Sequence, residues 1–270
     1  MDFFRVKKLD NNMHFVNNEV ITKDTYTNLH KEALKMDHSK FYNLVNNDFE
    51  FDNNKIIEFI NELALSTQVV IKKSKLMFLH GYLLYVALDK YIKNNQDIKF
   101  FNILETGTAR GFSAICMAKA LYDNNKDGKI YTIDIIPNNI KMYWNCIKDF
   151  ENEYTRIELL KDYNYLLKYI EFITGDTINI LKSIDLPRIN FAFLDAQHDY
   201  IHLNNELNFT KQKQKKNDII ICDDYTIYND GRLQFPGINK AIDEFNEYSK
   251  KIYYGNDTEK LRGYVYLKKL

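Results

Sequence analysis

The chain predicts an α/β protein: a doubly wound, mostly parallel sheet that ends in an antiparallel hairpin and is preceded by a helical N-terminal extension. Three observations carry this. From about residue 99, short apolar runs alternate with helical patterns through five cycles, as in a parallel sheet wrapped by helices on both faces. Runs such as Asp218–Cys222 are apolar almost throughout, which suits strands buried on both sides. The last two runs, Lys251–Tyr254 and Tyr264–Leu267, are joined by a segment too short for a helical crossover, so they pair antiparallel at the sheet edge.

The 270 residues divide into a mostly helical extension over 1–95 and a sheet domain over 96–270. Within the extension, Ile56, Phe59, Ile60 and Leu63 have helical spacing over Lys55–Leu65, and a second helix is expected over Lys75–Lys93. Residues 1–50 are polar and weakly periodic. In the sheet domain, strands are expected at Lys99–Thr106, Lys129–Ile135, Tyr169–Thr174, Ile189–Leu194 and Asp218–Cys222. Helices fall between them at Gly111–Leu121, Asn138–Phe150, Thr177–Ile184 and Tyr200–Lys215, and a last one at Ile238–Tyr248. Residues 151–168 read as an insertion, with Tyr154, Tyr163 and Tyr165 on a packing helix.

Lys plus Arg and Asp plus Glu both number 37, so no bulk basic charge points to a nucleic-acid partner. The longest apolar run, Leu76–Leu88, contains His80 and Gly81 and is shorter than the roughly 20 residues that span a bilayer. No secretory signal pattern opens the chain, and Cys116, Cys146 and Cys222 form no disulfide framework. A cytoplasmic protein with neither nucleic-acid nor membrane partners is expected.

Ligands of such sheets bind at the carboxyl ends of the strands. After the first strand comes Glu105-Thr106-Gly107-Thr108-Ala109-Arg110-Gly111, a glycine-bounded turn in which Gly107 permits a positive φ. The dinucleotide fingerprint GxGxxG is not met, because Ala109 and Phe112 stand where glycines would, and no phosphate-loop lysine follows. Asp134 ends the second strand, where an acid can accept both hydroxyls of a ribose. Gly175-Asp176 ends the third, and Asp176 suits either an adenine amine or a helix N-cap. Asp195 ends the fourth, with His198 three residues on, and Asp223-Asp224 ends the fifth. Carboxylates converging at adjacent strand ends repel unless a cation or a raised pKa relieves them, and oxygen-only ligands select a hard cation such as Mg²⁺. A zinc site on His198, His202 and Asp195 is the rival arrangement, with the histidines four residues apart.

Taken together these strand ends resemble the class I S-adenosylmethionine-dependent methyltransferases, closest to their Mg²⁺-dependent small-molecule and sugar O-methyltransferase branch. The resemblance runs from about Ile103 to Phe245 and rests on Glu105, Gly107, Gly111 and Ser113, on Asp134, on Asp176, and on Asp195 with Asp223 and Asp224. Ala109 departs from the middle glycine that many members carry. The resemblance implies a seven-stranded Rossmann-like sheet. It also implies S-adenosylmethionine bound by Glu105, Gly107, Thr108, Gly111, Ser113, Asp134, Ile135 and Asp176. Mg²⁺ would lie on Asp195, Asp223 and Asp224, with Asp195 and His198 catalytic and His198 as the base. The acceptor would be a small hydroxylated molecule, a sugar or glycan precursor, with a catechol-like phenol as the alternative. The extension would serve as a lid over the acceptor pocket or as an interface in a homo-oligomer. Two other readings compete: an NAD-dependent oxidoreductase, which lacks its glycine fingerprint here, and a non-catalytic scaffold, which has no need of acids at every strand end.

Overall fold

The computed structural model describes residues 7–9, 13–16, 19–53, 55–72, 74–255 and 260–270. Three short strands, β1 (Lys7–Leu9), β2 (Met13–Val16) and β3 (Glu19–Ile21), form an antiparallel sheet of their own. Four helices follow: α1 (Lys23–Leu34), α2 (Ser39–Phe49), α3 (Lys55–Thr67) and α4 (Leu79–Asn94). The first two lie in the stretch whose periodicity is weak. Phe41, Val45 and Phe49 form a narrow buried stripe at four-residue spacing on α2, and most of its other residues are polar.

The main sheet is built from β4 (Phe100–Thr106), β5 (Asp127–Asp134), β6 (Ile170–Thr174), β7 (Phe191–Leu194), β8 (Ile219–Tyr228), β9 (Tyr248–Gly255) and β10 (Lys260–Lys269). Their order is β6-β5-β4-β7-β8-β10-β9, with the first five parallel and β10 antiparallel to both β8 and β9. This is the seven-stranded arrangement expected, with the hairpin at the predicted edge. Helices α5 (Phe112–Asp123), α8 (Thr177–Ser183), α9 (Tyr200–Lys213) and α10 (Pro236–Glu244) supply the crossovers, and α6 (Arg156–Leu159) and α7 (Asn164–Leu167) are single turns before β6.

Alternate strand residues feed two cores. Phe101, Ile103, Phe193 and Ile221 join one face, and Leu104, Ala192, Leu194 and Cys222 join the other. The first face is covered by α4 and α5 together with α1–α3, in one continuous cluster that includes Tyr26, Phe41 and Leu63. Thirteen residues of α4 are buried, which explains its length of apolar sequence without a membrane. Among the described residues, no helix is long and apolar enough to cross one.

Two expectations differ from the structure. No α-helix forms over 138–150; only a 3-10 turn occupies Ile147–Phe150. Local polar groups outcompete the helix there. Asn138 binds Thr174 through its backbone and side-chain nitrogens, Asn145 takes a positive φ of 53°, and Asp149 accepts from the backbone nitrogens of Trp144 and Cys146. The insertion is likewise broken into short turns, with Tyr163 against Phe59 and Tyr165 against Tyr122.

Between α3 and α4, the described residues 68–72 and 74–78 have no regular structure and form a strap. Near its start, the Asn145 side chain accepts from the Ile71 nitrogen at 3.2 Å and donates to the Ile71 carbonyl at 3.0 Å. Near its end, Met77 packs so closely on Gly255 that a Cβ there would fall 2.4 Å from the Met77 sulfur. The strap thus touches the loop after β5 near its start and the end of β9 near its end.

Candidate active site

Register sets the site. Ile133 pairs with Thr106, Thr106 with Leu194, and Leu194 with Cys222. The next residue along each strand is therefore level with its neighbours: Asp134, Gly107, Asp195 and Asp223. Gly107 has φ 87° and lies against the Asp195 backbone, where a Cβ would fall 2.0 Å from its carbonyl oxygen. The glycine turn and the acid after β7 thus meet directly.

The expected cofactor residues separate into two groups. Glu105 is buried and does not reach the opening. Its carboxylate accepts from the hydroxyls of Ser113 and Thr132, and Thr132 is within 2.5 Å of the Thr108 hydroxyl. Burial pushes the Glu105 pKa up to about 7, against those two hydrogen bonds. Glu105, Thr108 and Ser113 therefore brace the turn from beneath. Gly111 begins α5 at φ 86°, with Leu160 of the insertion packed over it.

The second group lies at and just beyond the strand ends, with Asp134 itself buried. Asp134 accepts from the nitrogens of Ala109 at 2.6 Å and Ile136 at 2.8 Å, and Arg156 lies 3.7 Å away. Ala109 itself stands at φ 44°, so this carboxylate holds a left-handed alanine in place where a glycine would cost less. Ile135 is 66% exposed, an apolar surface at the place expected for a flat ring. Asp176 caps α8 through Asn179, and its other oxygen lies 3.7 Å from His202. Asp134→Ala is expected to weaken S-adenosylhomocysteine binding by about 1.5–3 kcal/mol, the range for hydrogen bonds to a charged group. Calorimetry reads this, and unchanged affinity would remove Asp134 from the cofactor site.

The acid cluster also differs from the expected three-carboxylate set. Asp195, His198 and Asp224 each bring a ligand atom within 4.8 Å of the others. Asp223 is turned away from them into a two-bond pair with Arg262: Nε donates to Oδ1 at 3.1 Å and Nη2 to Oδ2 at 2.5 Å. Arg262 also lies 3.4 Å from Asp224. A bulge between Gly263 and Val265 accommodates this pair of strands, and Asp224 takes φ 62° beside it. Arg262 is missed in the sequence because only the long-range antiparallel pairing of β10 with β8 brings it to the site, where Thr226 is its register partner.

His198 Nε2 is 3.0 Å from Asp224 and 3.7 Å from Asp195. Burial disfavours its charge, but the bonds to both carboxylates win and raise its pKa to about 10. Burial and the charge of Asp223 push Asp195 up to about 7. Asp224 is buried as well, yet Arg262 and His198 hold it well below the usual carboxylate range. The cluster is thus largely neutralised by its own cations. His202 does not join it: its Nδ1 is 2.8 Å from Asp199, the N-cap of α9. His198 precedes that helix, so the two histidines do not share a helical face, and the zinc arrangement has no counterpart among the described residues.

Residues 104–225 match a protein family described as a methyltransferase domain. No curated protein matches the chain in sequence. Among solved structures, the O-methyltransferase TomG of Streptomyces achromogenes, in complex with SAM, is similar at TM-score 0.53 and 15% identity, over 78% of this chain and 89% of that one. An O-methyltransferase of Bacillus cereus in complex with SAH gives TM-score 0.52 and 15% identity, over 92% and 100%. The SAH-bound methyltransferase PaMTH1 of Podospora anserina gives 0.50 and 15%, over 86% and 94%. At such identities the likeness establishes the fold.

Proposed function

We propose that this chain is a class I S-adenosylmethionine-dependent methyltransferase that moves the methyl group onto a hydroxyl oxygen of a small molecule, a sugar or related polyol. One observation carries the reading: Asp195, His198 and Asp224 converge directly beside the Gly107 turn. A hydroxyl held there would face the sulfonium methyl group, and alignment is the main task because the donor is already activated. The solved O-methyltransferase neighbours support oxygen as the acceptor atom.

The charged groups Asp195, His198, Asp224 and Arg262 at the site favour a polyol over a flat phenol. His80 Nδ1, Thr226 Oγ1 and Tyr264 Oη are buried without a hydrogen-bond partner. Tyr264 and His80 both feel the charge of Asp224 and Arg262. Phe235 lies 4.6 Å from the His198 ring, an apolar wall on the other side.

Asp195 and Asp224 offer hard oxygen donors that fit Mg²⁺, with Asp223 committed to Arg262 rather than available as a third ligand. Such a cation would acidify the acceptor hydroxyl and draw off the carboxylate charge that keeps His198 protonated. His198 Nε2, once neutral, accepts the hydroxyl proton. Arg262 holds Asp223, and through the strand pairing it fixes Asp224.

The test is methyl transfer to a panel of sugars and catechols, read by mass spectrometry, with and without chelator. His198→Gln is expected to lower turnover by about 10²–10⁴-fold, the usual contribution of a general base, with S-adenosylhomocysteine affinity unchanged. Chelation should suppress turnover and Mg²⁺ restore it. Full activity in excess chelator would remove the metal and leave His198 and Arg262 as the charges at the site. Failure to bind S-adenosylhomocysteine would overturn the methyltransferase assignment itself.

A further inference from the structure

Ala109 stands in the middle of the glycine turn at φ 44°. The side chain of an L-residue disfavours that left-handed conformation, so the peptide needs holding, and it is held from both sides. The Asp134 carboxylate accepts from the Ala109 nitrogen at 2.6 Å, and Arg156 Nε donates to the Ala109 carbonyl at 2.8 Å. The same guanidinium donates through Nη2 to the Ile136 carbonyl at 3.3 Å and lies 3.7 Å from Asp134. One side chain therefore ties the turn after β4 to the acid and the loop that follow β5.

Arg156 is itself fixed. It opens α6, whose N-cap Thr155 accepts from the Glu158 nitrogen at 3.2 Å, and its own backbone nitrogen donates to the Asn138 carbonyl at 3.3 Å. Its guanidinium lies 5.5 Å from the Trp144 ring and 5.7 Å from the Phe172 ring, and none of its side chain is exposed. Four residues on, Leu160 packs over Gly111, so the insertion grips the turn at both Ala109 and Gly111. Packing alone does not account for an arginine here, because burying its charge costs more than burying an apolar side chain of similar volume. Its planar fork serves two carbonyls and a carboxylate at once, which the single ammonium of a lysine does not.

We propose that Arg156 is a positioning residue of the cofactor site: it clamps Ala109 in its left-handed conformation beside Asp134, so that the turn is set before the cofactor arrives. The insertion thereby supplies for an alanine what a glycine does unaided. A turn already in its bound conformation binds more tightly, because no ordering cost is left to meet on association. This rests on the S-adenosylmethionine-dependent reading, which makes the turn and Asp134 the cofactor's contacts.

The test is calorimetric titration of the full chain with S-adenosylhomocysteine, comparing Arg156→Met in the wild-type and Ala109→Gly backgrounds. In the wild-type background Arg156→Met should weaken binding about 5–30-fold, the left-handed penalty of an L-residue expressed as a binding ratio. In the Ala109→Gly background the same substitution should cost no more than about twofold, because a glycine keeps the conformation without the clamp. General damage to the fold would not be relieved by that glycine. Hydrogen exchange at the Ala109 amide, followed by NMR on the chain without ligand, should be about 5–30-fold faster in Arg156→Met than in wild type, from the same penalty. Should Arg156→Met fail to fold, Arg156→Gln repeats the comparison. Unchanged affinity or unchanged exchange in Arg156→Met, or an equal loss in the glycine background, overturns the positioning role. Wild-type protein that binds no S-adenosylhomocysteine, yet whose Ala109 amide responds to Arg156→Met, would count against the cofactor reading and not against the clamp.

Discussion

Gly107→Ala is expected to destabilise the protein by more than about 3 kcal/mol, at the large end for single substitutions, and to abolish S-adenosylhomocysteine binding. Two costs add. At φ 87° an alanine pays the left-handed penalty, about 1–2 kcal/mol. Its methyl group would also stand 2.0 Å from the Asp195 oxygen and 2.6 Å from the Asp195 carbonyl carbon. Neither backbone can give way cheaply. Gly107 donates to Ile133 at 2.9 Å, and Asp195 donates to Thr106 at 3.0 Å, so both are tied into the parallel ladder. Gly231 provides the control. It has a similar φ of 85° but nothing within 4 Å of an added Cβ, so Gly231→Ala should show the conformational penalty alone. Urea unfolding and calorimetry distinguish the two. Wild-type stability and affinity in Gly107→Ala would mean that the turn is not held against Asp195.

The parts of this site that were legible in the sequence are those fixed by strand register. An apolar run followed by an acid or a glycine locates a carboxyl end, and parallel pairing then aligns Asp134, Gly107, Asp195 and Asp223 without further information. What each side chain does at that level was less accessible. The resemblance puts Glu105 at the cofactor; in the structure it lies inside the strand span, where the Ser113 and Thr132 hydroxyls donate to its two oxygens. Asp223 and Asp224 are adjacent, so strand alternation and the bulge send them to different partners. Arg262 reaches Asp223 across 39 positions of sequence through an antiparallel pair whose register no local pattern announces. The helices α1 and α2 were obscured because each buries only a narrow stripe.

The ion pair of Arg262 with Asp223 should prove the most costly polar contact to break. Asp223 is fully enclosed, and burial pushes its carboxyl up while the guanidinium pulls it down. Arg262→Met keeps much of the side-chain volume and removes the charge. The carboxylate is then buried without its partner, a loss of about 3–5 kcal/mol for breaking such a pair from one side. The pH dependence fixes the sign. In the variant the folded-state pKa of Asp223 rises further above its unfolded value. The folded state therefore holds a proton that the unfolded chain releases, and stability falls as pH rises between those two values. The deficit relative to wild type should be largest near pH 8 and shrink toward pH 5, where the orphaned carboxyl is more readily protonated. Arg262→Met combined with Asp223→Asn should recover part of the lost stability, because the fully enclosed carboxylate is gone while Asp224 keeps His198 as its cation. Urea midpoints at the two pH values for wild type, both single variants and the double variant complete the cycle. A pH-independent deficit, or no recovery in the double variant, would show that Arg262 acts through packing on Tyr264 rather than through Asp223.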